Sequence, residues 1–186
     1  MSVIIAIKKQ GVVYFGADSQ GTVGTLKRHA TNGKNAKVTT FKNGVIIAHA
    51  GVSLVGQILA SNSEWFKVKS DEEFNKEFIV KKIVPNIQLQ LQEYKYEEKD
   101  FSILIAYKDK LFLIGEDYSV FSINSRCAIG SGALVIEYGL SQFDLEGDIK
   151  GQMLNLLKFS SRYDNGVSAP YMFVDTSKLK MEIQED

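Results

Sequence analysis

The sequence predicts an α+β fold in which antiparallel sheets carry packed helices. Three observations point there. Strand-like runs arrive in blocks: four before the first helical stretch, three between two helical pairs, and two at the end. Blocks of neighbouring strands argue for antiparallel sheets, whereas strands alternating singly with helices would argue for a doubly wound parallel sheet. The 186 residues suffice for one domain, 1–186, with a sizeable core. The composition, 45% apolar and 24% charged, is that of a globular chain.

The elements follow in order. Residues 3–9 and 12–17 are β-branched and aromatic runs around a turn at Gln10 and Gly11. Residues 20–36, rich in Gly, Thr and Asn, read as loop. "KVTTF" (37–41) and "GVIIAHAG" (44–51) form a second strand pair, joined where Asn43 and Gly44 suit positive φ. Leu54, Ile58, Leu59 and Trp65 then fall at helical spacing. A second helical stretch, 70–94, opens on Ser70 and acidic residues, and Pro85 is expected to break or kink it. Strands return at 101–108, 110–117 and 119–123, helices at 132–143 and 148–163, and strands at 169–177 and 180–185.

Several function classes are excluded or disfavoured. With 22 basic and 22 acidic residues the net charge is zero, so no nucleic-acid partner is expected, and "KRH" at 27–29 reads as solvated loop. The one cysteine, Cys127, forbids an intramolecular disulfide and fits a reducing, cytoplasmic setting. In its apolar context, "RCAIG", it reads as a small buried hydrophobe rather than a nucleophile. The two histidines, His29 and His49, belong to no metal-spaced cluster, and no phosphate loop is present, so neither metal nor cofactor is expected. No apolar run approaches the ~18 residues of a membrane span. "VIIAI" is followed by lysines and more strand instead of a cleavage site, so no signal peptide is expected and Ser2 alone separates Met1 from the first strand.

Five stretches carry a resemblance. "SVIIAIKKQGVVYFGADSQGT", "NAKV", "AHAGV", "AIGSGALVIEYGL" and "YDNGVSAP" stand in the order in which similar motifs stand in proteasome β-type subunits and the related bacterial ring proteases of the HslV type. The resemblance spans nearly the whole chain. It implies the N-terminal-nucleophile hydrolase fold, a four-layer α/β/β/α sandwich with two antiparallel sheets. It maps Ser2 to the nucleophile, Asp18 and Lys37 to the charged pair beside it, and Gly51 to the oxyanion-hole glycine. Ser131 and Asp164 match the accessory serine and aspartate, and Thr22 and His49 match substrate-binding positions. It further implies a bacterial, cytoplasmic homo-oligomeric ring acting on peptide or protein, with an ATPase unfoldase as a candidate partner. The chain departs from the family pattern in three places: Ser replaces Thr as nucleophile, Val167 stands at the second accessory serine with Ser168 one residue on, and His49 occupies a usually apolar position.

The chemistry explains why a core strand would start at the chain's first residues. A hydroxyl needs a base within hydrogen-bond reach to attack a carbonyl. A free α-amine titrates near pH 7.7–8.0 and can take that proton. Removal of Met1 from before a small Ser2 would supply both groups on one residue. Lys37 would favour the developing charge and keep the amine neutral, Asp18 would hold Lys37, and Gly51 would offer its N–H to the oxyanion. Each residue also has a plainer reading. Small residues are tolerated at position 2, Lys37 and Asp18 can be solvated charges at strand ends, Gly51 a turn glycine, Ser131 a helix N-cap, and His49 a pocket wall.

The reading is a peptidase using Ser2. A small-molecule amidohydrolase of the same fold, or a non-catalytic ring-forming or structural homologue that keeps Met1, are its rivals. Assembly is suggested by adjacent Trp65 and Phe66, of which one is expected to point away from its helix's core face, and by Ile87, Leu89 and Leu91 alternating with glutamines. Those features place helices of 52–94 at contacts of an assembly of hexamer order or above, or inside the chain's own core.

Overall fold

The computed structural model describes residues 1–31, 36–97 and 100–185. Two five-stranded antiparallel sheets form the centre. The first has the order β10 (Arg126–Ile129), β1 (Ile4–Lys9), β2 (Val12–Asp18), β11 (Tyr171–Asp175) and β12 (Glu182–Gln184). The second runs β5 (Val38–Thr40), β6 (Val45–Gly51), β7 (Phe101–Tyr107), β8 (Lys110–Ile114) and β9 (Val120–Ser122). The helices are α1 (Ser53–Ser61), α2 (Lys76–Phe78), α3 (Val84–Glu93), α4 (Ala133–Ser141) and α5 (Ile149–Ser161).

Period-two alternation divides the apolar residues among three cores. Ile4 and Ala6 of β1 meet Ile46, Ala48, Leu104 and Ala106 between the sheets. Val3, Ile5 and Ile7 point the other way, onto Ile136 and Leu140 of α4 and Met153 and Leu157 of α5. On the outer face of the second sheet, Ile47, Ile103 and Ile105 pack with Val55 and Leu59 of α1 and Ile87 and Leu91 of α3. β1 is therefore buried on both faces and hydrogen-bonded on both edges, with Ile4 opposite Ala17 on one side and Ile129 on the other. A strand held from four directions fixes the residue just before it.

The structure corrects several expectations. The reading of 20–36 as loop gives way to a two-stranded hairpin, β3 (Gln20–Val23) and β4 (Leu26–His29), turning at Gly24 with φ 58°. All four residues of β4 are exposed, so no in–out alternation marked it. Residues 32–35 lie outside the described residues, as does the Asn35 of "NAKV". Strand β10 was not expected, because "RCAI" offers one β-branched residue; its pairing with β1 makes it. The helical stretch 70–94 forms only from Lys76 onward and is not broken by Pro85. A π turn over Ile79–Ile83 precedes the proline, with the Val84 N–H donating to the Ile79 carbonyl. Pro85 then sits in the first turn of α3, where its missing N–H and its ring are tolerated. Finally, Phe66 is fully buried and Trp65 packs half-buried on the same core, so neither turns away. The glutamine alternation is resolved likewise: Ile87 and Leu91 are buried and Leu89 alone faces out.

Candidate active site

Ser2 lies immediately before β1 and is 4% exposed, although Met1 beside it is 63% exposed. Its carbonyl accepts from the Gly132 N–H at 3.0 Å. Gly130, at φ 95°, passes so close that a Cβ there would lie 2.3 Å from that carbonyl oxygen. Two glycines at the end of β10 thus clamp Ser2 from across the sheet, and only a residue without Cβ fits this approach. The Ser2 N–H donates to Ser131 Oγ at 3.1 Å, and that hydroxyl donates to Asp164 Oδ2 at 2.5 Å. The second Asp164 oxygen accepts from the Gly166 N–H at 2.8 Å. The Ser2 hydroxyl donates to the Met1 carbonyl at 2.6 Å.

The N-cap reading of Ser131 is corrected here. The cap position of α4 is Gly132, with no side-chain bond, and the Ser131 hydroxyl is committed to Ser2 and Asp164.

Asp18, at the end of β2, is wholly buried, and Lys37, entering β5, is 7% exposed. Solvated charges they are not. Lys37 Nζ donates to both Asp18 oxygens at 2.7 Å. Asp18 also accepts from the backbone N–H of Val3 at 2.9 Å and of Gln20 at 3.0 Å. Burial pushes the Asp18 carboxyl above its usual range, with Lys37 and the two N–H groups pulling it back. Burial likewise pushes the Lys37 ammonium below its usual range, opposed first by Asp18 and also by Asp164. A lysine so depressed gives up or shares a proton more readily than one in water. Because Asp18 grips the Val3 N–H, the ion pair is tied to the residue next to Ser2.

Two cavities flank Ser2. The smaller, about 90 Å³, is lined by Ser2, Lys37, Thr22, His49, Gly51 and Ser53. The other, about 320 Å³, lies by Ser2, Gly51 and Ser131 and is edged by Asp100 and Glu116. Gly51, at φ 101°, stands at the head of both, and a Cβ there would meet the Asp100 carbonyl at 2.1 Å. His49 is 8% exposed, and its pKa is lowered to about 4, first by burial and then by the Lys37 charge. Its ring rests where a Cβ on Gly56 would be, so that glycine of α1 makes room for it.

All eight residues singled out from the sequence therefore gather around one point. Ser2, Ser131 and Asp164 are hydrogen-bonded in series, Asp18 and Lys37 form the pair beside them, and Gly51, Thr22 and His49 line the adjoining space. Two further participants were missed. Gln20, buried, accepts from the Ser168 hydroxyl at 2.7 Å and donates to the Asn165 carbonyl at 3.0 Å, which ties the β3 hairpin to the loop carrying Asp164. Gly130 is the other. Their partners lie more than a hundred residues away, and no local pattern marks such contacts. Val167 is buried in the core with α5, and the Ser168 hydroxyl is turned to Gln20. Among the described residues no group of three His, Cys, Asp or Glu side chains is placed to hold a metal, and no helix is long and apolar enough to cross a membrane.

No family model matches the chain, and no curated protein matches it by sequence. Solved structures do match. Anbu from Hyphomicrobium sp. strain MC1, a Gly-1 mutant, superposes with a TM-score of 0.78 at 13% identity, covering 100% of this chain and 87% of that one. Thiobacillus denitrificans BPH in complex with epoxomicin gives 0.70 at 17% identity, over 93% and 97% of the two chains. HslV from Trypanosoma brucei gives 0.64 at 15% identity, over 93% and 98%. At such identities the likeness is one of fold, and the fold is that of the proteasome β-type proteins, a mixed α/β architecture with antiparallel sheets.

Proposed function

We propose that this chain, with its proteasome β-type fold, is an N-terminal-nucleophile amide hydrolase that cleaves peptides through Ser2 once Met1 is removed. The observation that carries the reading is the series Ser2 N, Ser131 Oγ, Asp164 beside the buried Asp18–Lys37 pair. With Met1 gone, the Ser2 nitrogen becomes an α-amine already in hydrogen-bond reach of Ser131. That hydroxyl accepts from the amine and passes its own proton toward Asp164, which leaves the amine's lone pair directed at the Ser2 side chain.

The reaction then proceeds in two halves. The Ser2 hydroxyl adds to the substrate carbonyl, and its proton goes to the α-amine. The Lys37 cation lowers the cost of charge on the oxygen, and the Gly51 N–H receives the oxyanion. The amine returns its proton to the leaving nitrogen, the C–N bond breaks, and an ester on Ser2 remains. Water adds to that ester by the same route. The small polar cavity with His49 and Thr22 takes the substrate side chain next to the scissile bond.

The three stacked cores support a four-layer α/β/β/α sandwich as the architecture. We also read the chain as a cytoplasmic homo-oligomeric ring subunit. Leu134 and Tyr138 on α4, 87% and 79% exposed, sit one turn apart, and Leu89 and Tyr94 are exposed on the α3 side. Such apolar surface is what subunit contacts cover.

Intact-mass measurement of untagged protein and turnover of peptide amides test the function together. A chain beginning at Ser2 that hydrolyses substrate, with Ser2→Ala inert and folded, is the expected result. A chain that retains Met1 and hydrolyses nothing turns the reading toward the non-catalytic ring homologue.

A further inference from the structure

A further cavity, with an apolar floor, lies on the first sheet away from Ser2. It opens at the far end of β1, about 23 Å along the strand from Ser2 at the usual rise per residue. Its volume is about 390 Å³, within the range of small-molecule sites. Buried Phe15, Met153 and Phe173 and half-buried Tyr14 make the floor. Exposed Lys150, Lys178 and Lys180 and half-buried Lys9 stand around the mouth.

The charges there do not cancel locally. Four lysines face three rim carboxylates, and Glu182 is held below its usual range first by Lys150 and also by Lys178 and Lys180. Asp148 caps α5 by accepting from the Gly151 N–H at 3.1 Å. Asp175 accepts from the N–H groups of Ser177 and Lys178 at 2.9 Å, closing the turn after β11. Glu182 accepts from Lys150 at 2.6 Å, a bridge from α5 to β12. No ion pair or hydrogen bond engages the ammonium of Lys9, Lys178 or Lys180 within the described residues. Lys150 lies 5.2 Å from the centre of the Phe173 ring, so a cation already rests on the aromatic floor.

We infer that this cavity is a second ligand site, for a small organic anion that joins an aromatic ring to a carboxylate. The ring lies against half-buried Tyr14, above the buried Met153 and Phe173 side chains, and the carboxylate lies among Lys9, Lys178 and Lys180. The Lys150–Glu182 bridge is half-exposed and therefore weak, so a ligand carboxylate can also exchange with Glu182 on Lys150. The site shares no residue with the Ser2 machinery, and the inference is independent of the activity proposed above.

Titration calorimetry of the full chain with 2-naphthoate tests it. The neutral 2-naphthalenemethanol and ring-less acetate serve as controls. Saturable binding of naphthoate is expected, with both controls weaker. Removing two exposed ammonium groups in the double variant K178Q/K180Q should weaken it by about two- to thirtyfold. Lys81→Gln, a surface lysine elsewhere, and Ser2→Ala should bind as the wild type does. Absence of naphthoate binding, equal binding of the neutral analogue, or a change below about twofold in K178Q/K180Q overturns the inference.

Discussion

Replacing Asp18 by Asn isolates what the buried pair contributes. The substitution keeps the side chain's shape and removes one charge. Lys37, 7% exposed, is then a buried cation without its partner, a loss of about 3–5 kcal/mol. It can escape by releasing its proton, but at neutral pH that costs about 4–5 kcal/mol from an ordinary lysine value, so the escape does not lower the cost much. The amide also puts an NH₂ where a carboxylate oxygen accepted, facing either Lys37 or a backbone N–H of Val3 or Gln20. One buried donor left without an acceptor adds about 1 kcal/mol. The total, about 4–6 kcal/mol, is a large share of a domain's stability and corresponds to roughly 10–20 °C in Tm. Lys37→Met in the same chain removes the stranded cation while its stem volume stays filled, so the double variant should be more stable than Asp18→Asn alone. Urea unfolding at constant m reads the wild type, both single variants and the double variant. A loss below about 1 kcal/mol in Asp18→Asn, or a double variant that merely sums the two singles, refutes the account of the pair as buried and coupled.

Other outcomes follow from the same geometry. His49 titrates near 4 when folded and near 6.5 when unfolded, so the unfolded chain binds more protons between those values. Its contribution, about 3 kcal/mol, is present above pH 6.5 and lost as pH falls through 4; urea midpoints should therefore drop more steeply on acidification for the wild type than for His49→Gln, and parallel curves would contradict the burial argument. Gly130→Ala, at φ 95° with its Cβ 2.3 Å from the Ser2 carbonyl, should abolish turnover and lower Tm, and a fully active variant would show the clamp to be loose. Light scattering after size exclusion should give a mass of hexamer order or above, lowered by Tyr138→Glu; a wild-type monomer at micromolar concentration would dismiss the ring.

The strands buried on both faces were the legible part of the fold. β1, β6 and β7 are runs of Ile, Val and Leu, and their sequence alone demands a dry environment. What escaped were the elements whose identity is borrowed from a neighbour. β10 is a strand because β1 needs an edge partner, and β4 because β3 folds back on it in solvent. Pro85 misled because its tolerance depends on a widened turn one step earlier. At the site, Ser2, Asp18, Lys37, Gly51, Ser131 and Asp164 were reached through resemblance; composition and spacing alone left each with a plainer reading. Burial is what separates the two readings of Asp18 and Lys37, and burial is a property of the fold, not of "GAD" or "AKV". Gln20 and Gly130 stand inside stretches that carry the resemblance, yet nothing there assigned them a role, since a glutamine in a polar stretch acquires meaning only when Ser168 arrives beside it.

The clamp on Ser2 also sets a clock. The glycines that grip it are residues 130 and 132, and the hydroxyl and carboxylate beyond it come from residues 131 and 164. None of these exists while the first two-thirds of the chain is leaving the ribosome. During that interval Met1 and Ser2 have none of these partners. Once the last third folds, the Met1 side chain packs against Gly166, and Ser2 is 4% exposed while Met1 itself stays 63% exposed. The proposed activity therefore requires Met1 to be released from Gly166 if it is trimmed after folding, and not if it is trimmed before.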